Sequence, residues 1–268
     1  MEYEDRIYGK VEIGESVILD LLESPSLQRM KGIYQHGHFE PYFPGSRLSR
    51  FEHSVGVFIL LKIFGARLEE QTAGLIHDVS HTVFSHCGDY IYNKAGALIY
   101  QTTVCYNSEI NQDFQDSYHK RFVEESEIPE ILRKHGINYK FILDDSKFPL
   151  KEKPLPDLCA DRIDYSLRTA LVFREINSAE YFLGNLTAEN GRWIFKNFES
   201  AKKYAELFLK LNTNYYAGLP SAVMFRTVGD YLRLALLKGY ISENDFYATD
   251  KIVLSNVVII TIYSKIPD

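Results

Sequence analysis

A chain of 268 residues with 46% hydrophobic and 25% charged side chains is long enough for one large domain and has the balance of a globular protein that buries a real core. Its net charge of −6 argues against a dedicated duplex-binding protein, which carries a basic excess, but leaves room for a local cationic pocket that takes a small anion. Three cysteines, Cys87, Cys105 and Cys159, are an odd number without a C-x-x-C pair, which fits a reduced cytosolic protein better than a disulfide framework.

The N-terminus, Met1 to Asp5, is acidic and lacks the basic and apolar regions of a signal peptide. One short helix is expected around Val17 to Glu23 and another over Leu27 to Gly32. The stretch from His38 to Ser46 holds Pro41, Pro44 and Gly45 and reads as a loop. Ser49-Arg-Phe-Glu52 is a capping box, and Val55, Phe58, Ile59 and Ile63 behind it repeat at helical spacing, so His53 sits in the first turn of a long helix. A second helix is predicted from Glu69 to Asp78, then shorter ones over Cys87–Ala95, Asp116–Val123 and Ile128–Lys134.

After the Pro-rich break at Lys151 to Pro156, a helix runs from Pro156-Asp157 to about Ala170, with Asp157 as its cap. Phe182–Leu186 and Arg192–Asn197 flank Asn190-Gly191 and read as a β-hairpin. Helices resume over Glu199–Leu211 and Ser221–Lys238. The apolar run from Ile252 to Tyr263 is too short and too β-branched for a membrane span, and Val253–Tyr263 reads as a strand on propensity. The sum is a mainly α-helical, cytoplasmic, single-domain chain with a small β-hairpin. Its core lies at about 45–170, followed by a helical and hairpin part at about 171–268.

Four segments concentrate histidine and aspartate: Arg50-Phe-Glu-His53, His77-Asp78, Ser80-His81 through Ser85-His86, and Asp161-Arg-Ile-Asp164-Tyr165. Imidazole and carboxylate are the donors expected for Mn, Fe, Zn or Ni, and carboxylate with water suits Mg. Adjacent His77 and Asp78 would diverge by about 100° in mid-helix, but at a helix end both can face one point. A site joining His53, His77, Asp78 and Asp161 would draw on three helices. His81 and His86 follow within nine residues of His77, and a carboxylate three residues on, Asp89, can hold His86 charged for proton donation. A lone histidine or a bare His-Asp pair carries little weight; the argument rests on five of eight histidines falling between positions 53 and 119 in such settings.

This series resembles the HD-domain deoxynucleoside triphosphate triphosphohydrolases, the group that contains the vertebrate SAM-and-HD-domain restriction enzyme and bacterial dGTPase-like proteins. The resemblance spans Phe43-Pro-Gly45, Arg50 to Ser54 with Gly56, His77-Asp78 with Ser80-His81, Phe84-Ser-His86 and Asp161 to Tyr165. It implies one divalent metal ion (Mn, Fe, Mg, Zn or Ni) on His53, His77, Asp78 and Asp161. It also implies catalytic roles for His81, His86, Asp89 and His119, with His86 the acid toward the sugar 5′-oxygen. Arg50 and Arg162 would bind phosphate, while Gln35, Tyr165 and Tyr216 would line the sugar and base pocket.

The implied reaction converts a deoxynucleoside triphosphate to deoxynucleoside and inorganic triphosphate. A phosphomonoesterase of the same superfamily is a second enzyme reading, and a nucleotide-sensing or nucleic-acid-binding module is a third. A homo-oligomer, with a dimer favoured, is the family expectation; no basic-aromatic run supports a nucleic-acid partner. The chain departs from its vertebrate relatives at His36, where they carry an apolar residue, and at Asn212 and Asn214, so sugar and base preference stay open.

Overall fold

The computed structural model describes residues 1–91 and 114–263 of the chain, and side chains for 1–91 and 118–256. Cys105 and the segment 92–95 of the expected Cys87–Ala95 helix lie outside the described residues. In chain order the elements are β1 (Glu2–Asp5), β2 (Gly9–Glu12), α1 (Ser16–Leu22), α2 (Pro25–Arg29), α3 (Arg50–Ile63), α4 (Leu68–Ile76), α5 (Phe114–Glu125), α6 (Ile128–Lys134), α7 (Tyr139–Ile142), α8 (Ala160–Val172), α9 (Glu180–Gly184), β3 (Leu186–Glu189), β4 (Arg192–Phe195), α10 (Phe198–Leu211), α11 (Leu219–Leu237) and α12 (Asp250–Tyr263). The protein is mainly α-helical, with two antiparallel strand pairs among the described residues. No helix among them is long and apolar enough to cross a membrane.

The central helix is α3. Its capping box forms as the sequence predicts: the Glu52 amide donates to Ser49 Oγ at 3.1 Å, and the Ser49 amide donates to Glu52 Oε2 at 2.9 Å. From His53 to Leu61 every residue is buried, because α4 packs on one side and α8 on another. One apolar cluster (Val17, Leu21, Val55, Phe58, Leu132) joins α3 to α1, α4 and α6. A second (Val57, Leu60, Leu167, Trp193, Leu207) joins it to α8, the β3–β4 hairpin and α10. A third (Phe39, Val83, Phe84, Met224, Phe246) lies beneath α11 and carries the loop before His86.

Several boundaries differ from expectation. Helix α8 begins at Ala160 rather than Pro156, and Cys159 takes the cap position, so Asp157 stays in the preceding loop. Phe182 to Gly184 belong to α9, and the hairpin starts at Leu186; its Asn190-Gly191 turn has φ 51° and 69°, the left-handed pair such turns require. The predicted C-terminal strand is α12. Strand propensity reflects the fit to a pleated surface, and here Val253 is buried against the helical third cluster instead. The β1–β2 hairpin was not expected, since its strands are four residues long and mostly polar.

Candidate metal centre and adjoining pocket

His53 lies in the first turn of α3, His77 just past the end of α4, and Asp161 in the first turn of α8. Helix α4 stops at Ile76; His77 is its C-cap, still with helical backbone angles (φ −58°, ψ −30°), and Asp78 follows in the turn beyond. His53 Nε2 is 2.9 Å from Asp161 Oδ1 and 3.2 Å from His77 Nε2; His77 Nε2 is 3.4 Å from the same Asp161 oxygen. The second nitrogen of each ring is tied down. His53 Nδ1 donates to Asp164 Oδ2 at 2.8 Å, and His77 Nδ1 donates to the Gly74 carbonyl at 2.7 Å. An imidazole protonated at Nδ1 presents a lone pair at Nε2. Two lone pairs and a carboxylate oxygen therefore converge on one point, an arrangement that calls for a cation between them.

A proton can fill that role. Burial disfavours a charged His53, but hydrogen bonds to Asp161 and Asp164 outweigh it and push its pKa up to about 9. His77 moves the same way: Asp78 and Asp161 overcome the cost of burial. Burial likewise opposes the Asp161 charge, yet His53 and His77 hold its carboxyl well below the usual range. A divalent metal fits the same donors better, since neutral imidazole nitrogen with carboxylate oxygen is a standard ligand set and both rings have the outer hydrogen bonds that orient metal-bound histidines. Asp78 stands at the edge, with Oδ1 3.5 Å from His77 Nε2 and Oδ2 3.8 Å from His53 Nε2. Its oxygens also accept from Arg50 Nη1 at 2.6 Å and from His81 Nε2 at 3.1 Å. A further trio, Glu152, Cys159 and Asp161, brings ligand atoms within 4.8 Å, although the Cys159 thiol already lies 3.5 Å from Glu152 and 3.4 Å from the Arg162 guanidinium.

On the other side of Asp78 the charge reverses. Buried Arg50 donates through Nε to Ser85 Oγ at 2.8 Å and through Nη2 to His86 Nε2 at 3.3 Å. Arginine only donates, so His86 Nε2 accepts here and its Nδ1 carries the proton toward Asp89 Oδ2, 3.3 Å away. The other Asp89 oxygen is buried without a partner. Phe84 and Ser85, with φ 56° and 52°, are consecutive left-handed residues, a costly backbone for non-glycine side chains. Asp250 Oδ1 holds that turn by accepting the Phe84 amide at 2.7 Å. The His81 and His86 rings meet edge-on at 5.2 Å. Burial, with Arg50 adding its charge, pushes His81 down to about 3, and burial with Lys151 nearby pushes His119 down to about 4. His119 Nδ1 lies 3.2 Å from Ser80 Oγ.

Beside His86 opens a cavity of about 500 Å³, walled by Phe39, Tyr165, Tyr215, Tyr216 and Phe225, with Gln35, His36 and Thr169 as polar members. Tyr215 and Tyr216 reach it from a π-helical turn, Asn212–Tyr216, that continues α10. Gln35 Oε1 and Tyr216 Oη are buried without hydrogen-bond partners; Thr169 and Ser166 approach the tyrosine hydroxyl without bonding geometry. Burial, with Arg50 and His53 adding to it, lowers His36 to about 3, so that ring is neutral. Arg162 does not line this cavity. Its guanidinium donates to the Asp157 carbonyl and lies 3.5 Å from that of Lys153, against the loop before α8. Tyr8, Asp5 and Arg168 behind His53 are not legible in the sequence, because nothing in local spacing links them.

Residues 50–169 match the HD-domain family. YdhJ of Bacillus subtilis, named only as an uncharacterised protein, is 36% identical over 258 residues, covering 95% of this chain and 74% of its own. The chain belongs to the HD-domain family. The metal-dependent phosphohydrolase cns2 of Cordyceps militaris is 40% identical over 176 residues, 64% of this chain and 46% of that protein. The deoxynucleoside triphosphate triphosphohydrolase SAMHD1 of Danio rerio is 34% identical over 105 residues, 34% of this chain, which spans only 17% of that protein. A crystal structure of a hypothetical protein from Aquifex aeolicus shares the fold, with a TM-score of 0.73 at 20% identity over 95% of this chain and 70% of that one.

Proposed function

We propose that this protein is a metal-dependent phosphohydrolase of nucleotides, with one divalent ion (Mn, Fe, Mg, Zn or Ni) held by His53, His77, Asp78 and Asp161. The observation that carries this reading is the convergence of His53 Nε2, His77 Nε2 and Asp161 Oδ1 on one point beside the Arg50 guanidinium. When bound, the ion would neutralise phosphate charge and lower the pKa of water for attack. Arg50 is positioned to meet a phosphate oxygen, and leaving His86 for that contact frees Nε2 to take a proton. His86 then serves as the acid toward the leaving oxygen, with Asp89 steadying its cationic form, His119 donating a hydrogen bond toward the phosphate, and His81, whose single N–H goes to Asp78, holding that carboxylate in place. The aromatic cavity, with Gln35, Tyr165 and Tyr216, has the size and mixed lining of a small-molecule site and would hold the nucleoside.

We place deoxynucleoside triphosphates first among the substrates, with deoxynucleoside and inorganic triphosphate as products; the motif series and the likeness to SAMHD1 support this. A phosphomonoesterase is the second reading. It draws support from Arg162, which is engaged by loop carbonyls and leaves Arg50 as the guanidinium at the site among the described residues. The test is to incubate the purified protein with each dNTP, NTP and nucleoside monophosphate plus Mn²⁺ or Mg²⁺ and to resolve products by anion exchange. Deoxynucleoside with inorganic triphosphate supports the first reading, and orthophosphate from a monophosphate the second. No turnover of any of them by folded, metal-loaded protein overturns the hydrolase reading.

A further inference from the structure

The rear of the metal centre is closed by residues from the far N-terminal end of the chain. Asp164 Oδ2, which accepts from His53 Nδ1 at 2.8 Å, also accepts from Arg168 Nε at 3.0 Å. Its other oxygen accepts from Arg168 Nη2 at 2.8 Å and from the Tyr8 hydroxyl at 2.9 Å, a contact across 156 positions of sequence. Arg168 Nη2 reaches onward to Asp5, 3.1 and 3.3 Å from its two oxygens. Asp5 in turn accepts the Ile7 and Tyr8 amides at 2.7 and 3.1 Å, which shapes the turn between β1 and β2. Asp5, His53, Asp164 and Arg168 are all buried. The fold makes room for this network at Gly56, one turn along α3 from His53. A Cβ there would fall 2.0 Å from Arg168 Nη2 and 2.2 Å from Asp164 Oδ1.

We infer that the β1–β2 hairpin is part of the metal centre: Tyr8 and Asp5 are positioning residues that, through Arg168 and Asp164, fix the His53 ring for metal binding. A carboxylate free to turn about its Cβ would hold the imidazole loosely. Here Arg168 and Tyr8 fix both Asp164 oxygens, so the oxygen facing His53 has one position, and Asp5 fixes Arg168. Outer partners of this kind change metal affinity by about 10- to 100-fold when removed. A hairpin serving only as a cover would have no need to bury the Asp5 carboxylate against Arg168, since charge is costly to bury without a compensating partner.

This inference rests on the metal centre proposed above, and Mn²⁺ binding by isothermal titration tests the two separately. Wild type, Tyr8→Phe, Asp5→Asn and Asp164→Asn are compared as full chains, each first shown to be folded by circular dichroism. The expected result is Mn²⁺ affinity about 10- to 100-fold weaker in Asp164→Asn, with smaller but clear losses in Asp5→Asn and Tyr8→Phe. Electron paramagnetic resonance of bound Mn²⁺ should also change in line shape, which a purely structural role would not produce. If the variants lose thermal stability but bind Mn²⁺ as wild type does, the hairpin is a cover and the inference fails. Wild type that binds none of Mn²⁺, Fe²⁺, Mg²⁺, Zn²⁺ and Ni²⁺ would overturn the metal centre, and this inference with it. Should Asp5→Asn unfold, Tyr8→Phe removes a single oxygen and carries the test alone.

Discussion

Five histidines of one site, His53 and His81 buried and His36, His77 and His119 half-buried, divide into two groups, and burial does not separate them. His53 and His77 are driven upward in pKa, His53 to about 9, while His36 and His81 fall to about 3 and His119 to about 4. The difference lies in their neighbours. Asp161, Asp164 and Asp78 surround the first pair; at His81 burial and Arg50 outweigh the bond to Asp78, burial and Arg50 lower His36, and burial and Lys151 lower His119. Desolvation penalises the charged form in both groups, and the local charge decides the sign. The site is thus polarised, with an electron-rich end fitted to a cation and an end of neutral rings and a guanidinium fitted to an anion. A metal-bound phosphate needs both ends side by side.

The sharpest way to break this picture is to remove the electron-rich end. His77→Ala and Asp161→Ala should lose bound metal to background by inductively coupled plasma mass spectrometry, and turnover with it. Metal retained in either variant would place the ion elsewhere. Removing His86 should separate the two ends. His86→Ala should keep its metal while turnover falls by about 10²- to 10⁴-fold, the usual contribution of a positioned proton donor. Metal lost along with activity would mean that His86 belongs to the electron-rich end.

How much of this contrast could be read from the sequence depends on its range. His53, His77 and Asp161 lie side by side with Asp78 at their edge, and each sits at a helix start or end that local signals announce: the Ser49 capping box, the close of α4, the opening of α8. The aromatic wall was partly legible through Tyr165 and Tyr216. What stayed hidden was set by tertiary contact. Asp5 and Tyr8 reach Arg168 and Asp164 across about 160 residues with no shared periodicity. Val253 to Tyr263 looked like a strand because β-branched residues dominate it, yet the third apolar cluster offers a helical surface to pack on, and Asp250 anchors the helix start by accepting the Tyr34 and Phe84 amides. Arg162 was expected at the phosphates on position alone, and the loop carbonyls around Asp157 have claimed its guanidinium.

The pH dependence of stability sharpens the comparison without any substitution. In metal-free protein the raised pKa of His53 means that the folded state holds a proton the unfolded chain releases. That contribution is complete below about 6.5 and is lost as pH rises toward 9, a change of about 3 kcal/mol at most. The depressed histidines act in the opposite direction. His36, His81 and His119 stay neutral in the fold while the unfolded chain takes up protons, so stability also falls as pH drops from 6.5 toward about 3. Melting temperature against pH should therefore peak near pH 6.5 in the metal-free protein. With saturating Mn²⁺ the alkaline limb should flatten, because the ion takes the place of the proton. An unchanged melting temperature between pH 6.5 and 9 without metal would contradict the proposed cation site.

Arg50 is the seam between the two ends, and the smallest predicted effect falls there. One terminal nitrogen bonds Asp78 on the metal side at 2.6 Å, the other faces His86 at 3.3 Å, and Nε meets Ser85 at 2.8 Å. Arg50→Lys preserves the charge, and so the polarity, but an ammonium cannot reproduce three contacts from one planar fork. If polarity alone matters, kinetics should barely move. If the fork also aligns Asp78 with His86, kcat should fall by about 10-fold, the equivalent of one hydrogen bond to a charged group, while metal content stays at the wild-type level. A rise in KM with kcat unchanged would instead assign Arg50 to substrate binding alone, and the two ends would then be neighbours that share a wall without sharing a mechanism.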